Sequence, residues 1–116
     1  MTVYPEDDHP VIRRLLEPGE QVEQRARAYG AVVALTDRRL AVVDADRVAL
    51  AVEVQQIRRV QFDIEKARPA TLVIVPEQPT DPPQSLTISP EHFDDIATLL
   101  VTVGRRLTSG TAWPSS

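Results

Sequence analysis

Thr36, Asp37, Arg38 and Arg39 stand together in one cluster, and Asp44, Ala45, Asp46 and Arg47 in a second, each flanked by apolar residues on both sides. Carboxylate, hydroxyl and guanidinium groups at such spacing are raw material for acid–base catalysis or for holding an anion. A hydrolase would also need a nucleophile, a base within reach of it and an acid to orient that base. The histidines are His9, in an acidic N-terminal stretch, and His92, beside Glu91 at the start of a helix where exposure to solvent is expected. No cysteine is present, which removes thiolate metal sites, cysteine nucleophiles and disulfides together. No histidine spacing supplies convergent metal ligands. Asp44 and Asp46 begin like a calcium loop, but no third ligand, glycine and distal Glu follow in register. Gly19, Gly30, Gly104 and Gly110 are too dispersed to cradle a phosphate. The expectation is therefore no catalytic residue, no metal, no cofactor and no small-molecule substrate.

The elements around the two clusters explain them as turns. From Glu20 onward Val22, Gln24, Ala26 and Ala28 alternate with Glu23, Arg25, Arg27 and Tyr29, the pattern of a strand with one wet face. Gly30 breaks it. Ala31 to Leu35 and Leu40 to Val43 are β-prone runs on either side of the first cluster, a connection of hairpin length. The second cluster leads into Val48, Leu50, Val52 and Val54 at period two. Four short strands joined by tight turns make an antiparallel meander.

A second group of strands follows. Val60, Phe62 and Ile64 point inward against Arg59, Gln61, Asp63 and Glu65, and Thr71 to Val75 is a sixth strand. The loop Pro76 to Gln84, with four prolines in nine residues, lacks ladder donors and separates it from a short seventh strand at Ser85 to Ile88. Ser89 and Pro90 then open a helix, with the serine hydroxyl expected at the cap. Phe93, Ile96, Ala97, Leu100, Val103 and Leu107 form its apolar stripe. Near the N-terminus, Val11, Ile12, Leu15 and Leu16 predict a short helix capped by Asp8 and ended by Pro18 and Gly19.

The chain of 116 residues suits one domain with its own core. Residues 1–8 read as a flexible lead-in, 9–108 as the domain and 109–116 as a flexible tail holding Trp113. The N-terminus lacks the basic and apolar stretches of a secretory signal, and no apolar run is long enough to span a bilayer, so a cytoplasmic protein is expected. A formal charge of -4 opposes binding to phosphate backbones. The aromatics Tyr4, Tyr29, Phe62, Phe93 and Trp113 form no stacking platform between bases, so nucleic acid is not an expected partner.

Glu17-Pro18-Gly19-Glu20 before the first strand, Ala34-Leu35-Thr36-Asp37-Arg38-Arg39-Leu40 at the second turn and Gln56-Ile57-Arg58-Arg59-Val60 entering the fifth strand resemble bacterial pleckstrin-homology-like (PH-like) domains. The likeness covers roughly residues 15–107. It implies a mainly β protein with α, in which seven antiparallel strands in runs of four and three form a sandwich or partly open barrel capped by the C-terminal amphipathic helix, with the short helix in front. It also implies a binding scaffold without enzyme activity.

Some members of that fold accept an extended peptide beside the fifth strand, against the C-terminal helix. Here Arg59, Val60, Gln61, Phe62 and Asp63 make up that edge, and they are the expected site for a protein partner or for self-assembly. The alternative is peripheral binding of anionic lipid head groups, at the inner face of the membrane, through Arg25, Arg27 and Arg47. It is the weaker expectation. The second strand lacks the basic pair of lipid-binding members, and the third-to-fourth and sixth-to-seventh loops set Arg47 against Asp44, Asp46, Glu77 and Asp81.

Overall fold

The computed structural model describes residues 10–44 and 46–110. In order, it forms helix α1 (Pro10–Leu15), strands β1 (Val22–Ala28), β2 (Ala31–Thr36), β3 (Arg39–Asp44), β4 (Arg47–Glu53), β5 (Ile57–Asp63), β6 (Ala70–Pro76) and β7 (Gln84–Ile88), and helix α2 (Phe93–Gly110). Single 3-10 turns occur at Val54–Gln56 and Pro90–His92. Strands β1 to β4 pair antiparallel in chain order as one sheet, and β5 to β7 as another, with no closed barrel among the described residues. This is the expected four-plus-three order with a helix at each end. The lead-in at 1–8 with the Asp8 cap, His9, Ala45 and the tail residues 111–116 lie outside the described residues.

The uninterrupted apolar runs of β2 and β3 are explained by burial on both faces. Val33, Leu35, Leu40 and Val42 enter the main core with Leu72, Ile74, Ile88, Ile96 and Leu99. Ala34 and Val43 point the other way, where α1 lays Val11 and Ile12 across them. A helix of six residues is unstable alone, so this docking is what makes it persist. Each of the two side chains contributes roughly 1.5–3 kcal/mol by burial.

Two corrections to the inward-facing assignments come from β-bulges. An extra residue on one strand turns every side chain beyond it to the other face. A register shift between Val22 and Gln24 places Val22 with the α1 cluster, while Ala26 stays in the main core. A shift opposite Val42 and Val43 pairs Val42 with Leu50 but Val43 with Val48, so Val48 leaves the core face and is 38% exposed.

Three further residues depart from expectation. Ile64 lies beyond the end of β5 and is 55% exposed, because the chain has already left the ladder for the turn closed by Arg68 N–H to Glu65 C=O at 3.2 Å. On α2 the buried stripe passes through Leu99 rather than Ala97, which is exposed. The Ser89 hydroxyl makes no cap bond; Pro90 opens a 3-10 turn, and the Ser89 carbonyl accepts from His92 N–H at 2.9 Å. The helix itself continues through Gly110. No helix among the described residues is long and apolar enough to cross a membrane.

Candidate functional site

Helix α2 is anchored on one side. Gln24 of β1 donates from Nε2 to Thr102 Oγ1 at 2.8 Å, and Gln55 donates to the Arg106 carbonyl at 3.1 Å. Arg106 in turn bonds the Thr36 carbonyl and the Glu23 carboxylate. On the other side α2 stands off β5. The Phe93 ring at the helix start meets Phe62 near the end of β5, edge to face, with centroids 5.7 Å apart. The later turns of the helix face the beginning of β5, so helix and strand run in opposite directions. Between them lies a groove of about 410 Å³. Strand β5 contributes Ile57, Arg58, Arg59 and Val60, and α2 contributes Leu100, Val103, Gly104 and Leu107.

Neighbouring residues on a strand ordinarily face opposite ways, yet Arg58 and Arg59 both line this groove. The β5–β6 register shifts between Ile57 and Arg59, so Arg58 is the extra residue of a bulge, a feature that re-aims side chains at sheet edges. The other edge of β5 pairs with no strand among the described residues. The groove therefore offers an aliphatic floor, two arginines in its lining and an adjacent strand edge. Its lining holds no hydroxyl, carboxylate or imidazole. None of its side chains is an ordinary proton-transfer group near neutrality.

The cluster that most resembled a catalytic site is a structural buckle. Glu17-Pro18-Gly19-Glu20 closes a tight turn, with Glu20 N–H donating to the Glu17 carbonyl at 2.9 Å and Gly19 at φ +84°, a value that glycine adopts without strain. Arg38 reaches over this turn, donating to Glu17 Oε1 at 3.2 Å and to the Pro18 carbonyl at 3.3 Å. Arg39 holds both oxygens of the buried Glu20, at 2.6 and 3.1 Å, and donates to the Leu15 carbonyl at the end of α1. The Thr36 hydroxyl donates to Glu20 at 2.6 Å and accepts from Arg38 and Arg39 N–H, so Thr36 closes this turn. Asp37 instead exchanges two bonds with Gln21 at 3.0 Å.

The Arg39 hydrogen bonds overcome desolvation and, with the Glu17 N–H and the Thr36 hydroxyl, hold the Glu20 carboxyl down to about 2, while Glu20 raises Arg39. A carboxylate held that low is a poor general base near neutrality. The turn reading thus stands, but it missed Glu20. Its signal lies in two separate motifs, Glu17–Glu20 and Thr36–Arg39, which the fold brings into one network.

No protein-family model matches the sequence, and no curated protein matches it. A solved structure does: the crystal structure of a pleckstrin homology domain from Shewanella amazonensis SB2B is similar over 83% of this chain and 82% of that one, with a TM-score of 0.65 and 14% sequence identity. The fold is PH-like. At that identity the likeness concerns architecture alone.

Within the PH-like frame the expected protein-binding residues divide. Arg59 and Val60 line the groove. Gln61 and Asp63 lie exposed farther along the strand, with Gln61 Nε2 donating to Asp63 Oδ2 at 3.0 Å. Phe62 is half-buried against Phe93 and is not part of the groove lining. Ile57, Arg58 and the four helix residues were not among the expected site residues. Leu100, Val103 and Leu107 belong to the apolar stripe of the C-terminal helix, against which the groove was expected, but were not singled out as its lining. Consecutive arginines entering a strand and a glycine within a helical stripe were the available signs.

The arginines of the lipid alternative are not all brought together. Arg25 and Arg27 line a second cleft of about 320 Å³ with Ala26, Val32, His92 and Asp95. Arg47 is elsewhere: Arg27 pairs with Val32, Val32 with Val43 and Val43 with Val48, so Arg47 lies three strands away, roughly 14 Å at the usual strand spacing. His92 is half-buried here rather than fully exposed, with Nε2 3.4 Å from Glu91. Among the described residues no group of three or more His, Asp or Glu could hold a metal ion.

Proposed function

We propose that this PH-like chain is a non-enzymatic protein-interaction module that captures its partner in the groove between β5 and α2. The observation that carries the reading is the groove itself: an aliphatic floor beside a strand edge that lacks a neighbour among the described residues, at one place. Edge strands of this kind accept an added strand through main-chain hydrogen bonds, while adjacent pockets select side chains. The fold is compatible with lipid binding too, but the separation of Arg47 from Arg25 and Arg27, and Asp95 inside their cleft, argue against one converged anion site.

The test is capture of partners from host-cell lysate by the tagged full chain and by Gly104→Leu. Gly104 lines the groove and a Cβ there meets nothing within 4 Å, so a leucine is introduced from an uncrowded position, and its fold is checked by Tm beside the native chain. Partners retained by the native chain and lost by the variant support the reading. Equal recovery by both would overturn it.

A further inference from the structure

The chemistry of the groove restricts its occupant. We infer that the partner presents one extended acidic segment, in which branched apolar side chains alternate with carboxylates, and that this segment lies along β5 with its apolar side chains over Leu100, Val103 and Leu107. The inference rests on the groove being the protein-binding site and specifies what it takes.

Charge is the first argument. The chain carries a net -4, yet the groove lining contributes two arginines and no carboxylate, so its local sign is opposite to that of the molecule. Asp63, the nearest acid along the strand, has its Oδ2 engaged by Gln61. Arginine forks bind carboxylates in bidentate fashion, and complementary charge at a rim selects the partner and speeds encounter. The bulge at Arg58 puts two consecutive arginines into the lining of this one groove.

Shape is the second argument. The groove is bounded by a helix on one side and a strand on the other, and farther along the Phe62 and Phe93 rings join the same two elements. Its volume of about 410 Å³ lies in the range that holds a small ligand, enough for a few side chains. A helix with side chains is about 10–12 Å across and is too thick for such a space. The edge of a second copy would bring its own β6 behind β5 and meet α2. The bulge at Arg58 also limits the regular edge to Arg59–Asp63, which disfavours long edge-to-edge pairing. A single strand satisfies both limits.

The experiment is selection of a random twelve-residue peptide library on the full chain, with Gly104→Leu as the counter-target, followed by affinity measurement of the enriched peptides by fluorescence polarisation. The expected result is enrichment of Asp and Glu alternating with Val, Ile or Leu. Affinity should fall about tenfold or more in Arg58→Glu/Arg59→Glu and be lost in Gly104→Leu. Amide shifts on binding should centre on 57–60 and 100–107. Enriched peptides that are neutral or basic but still lost in Gly104→Leu would overturn the acidic preference and leave the groove as a protein site. Failure of any peptide to enrich would overturn both readings. Concentration-dependent dimerisation of the native chain abolished by Gly104→Leu would assign the groove to a second copy and overturn the inference.

Discussion

Arg39 Nη2 lies 2.6 Å from Glu20 Oε1, joining residues 19 apart in sequence, with the Glu20 side chain fully buried. The pair connects the end of α1, the turn before β1 and the start of β3, so it holds the helix on the outer face of the first sheet. Removing one partner of a buried pair leaves the other charge uncompensated and typically costs ~3–5 kcal/mol. Arg39 keeps 19% of its side chain in solvent, which places the effect at the lower end. Glu20→Gln should lower the unfolding free energy by about 3 kcal/mol in urea titration. A loss below about 1 kcal/mol would mean that the buckle behaves as a surface ion pair.

The same residue sets an acid dependence. In the folded chain the Glu20 carboxyl is depressed to about 2 from an ordinary value of 4.5. A depressed carboxylate contributes stability in full above its unfolded pKa and loses it as pH falls through the folded one. The difference in stability between the native chain and Glu20→Gln should therefore be constant above about pH 5 and shrink between there and pH 2. Urea midpoints measured across that interval check it. A difference that stays constant down to pH 2 would show that Glu20 does not titrate in this window.

Phe62 and Phe93 meet at 5.7 Å with ring planes at 87°. Phe62 is half-buried, so Phe62→Ala should cost about 2–3 kcal/mol, below the full core penalty. A double-mutant cycle with Phe93→Ala should give a coupling of about 0.5–1.5 kcal/mol. Additive losses would show that the rings do not act together.

Local patterns made the strands and turns legible because a two-residue period and turn chemistry act over a few positions. Ala31 to Leu35 and Leu40 to Val43 needed no further information to be placed as neighbouring strands. What escaped depended on one extra residue or on distant partners. Bulges at Glu23, Ala49 and Arg58 change which face a side chain occupies, and nothing in the alternation around Val22 or Val48 announces them. Glu20 and Arg39 each occupy an ordinary polar position, and only the folded meander brings them together. The groove was half legible: Arg59 and Val60 belonged to a recognised edge, whereas Leu100 and Leu107 carry the same apolar signal whether they fill the core or floor a cleft.

Gly104 is an exposed position within α2, and a Cβ there meets no neighbour. Glycine in a helix interior is about 1 kcal/mol less favourable than alanine. Gly104→Ala should therefore raise the unfolding free energy by roughly 0.5–1 kcal/mol, seen as a higher Tm. A fall in Tm would mean that the groove requires the space for its own packing, and Gly104→Leu could no longer serve as a test of binding alone.

The lipid alternative makes its own demand. If Arg25 and Arg27 recognised head groups, attraction to an anionic surface would be strongest at low ionic strength, where the screening length is longest. Their cleft also contains Asp95, the chain carries a net -4, and Arg47 is on β4 rather than beside them. Each of these works against a surface of negative charge. Co-sedimentation with phosphatidylserine vesicles at low salt should leave the protein in the supernatant, unchanged in Arg25→Glu/Arg27→Glu. Pelleting that disappears in that variant and with added salt would make β1 a membrane-facing surface and displace the groove as the principal site.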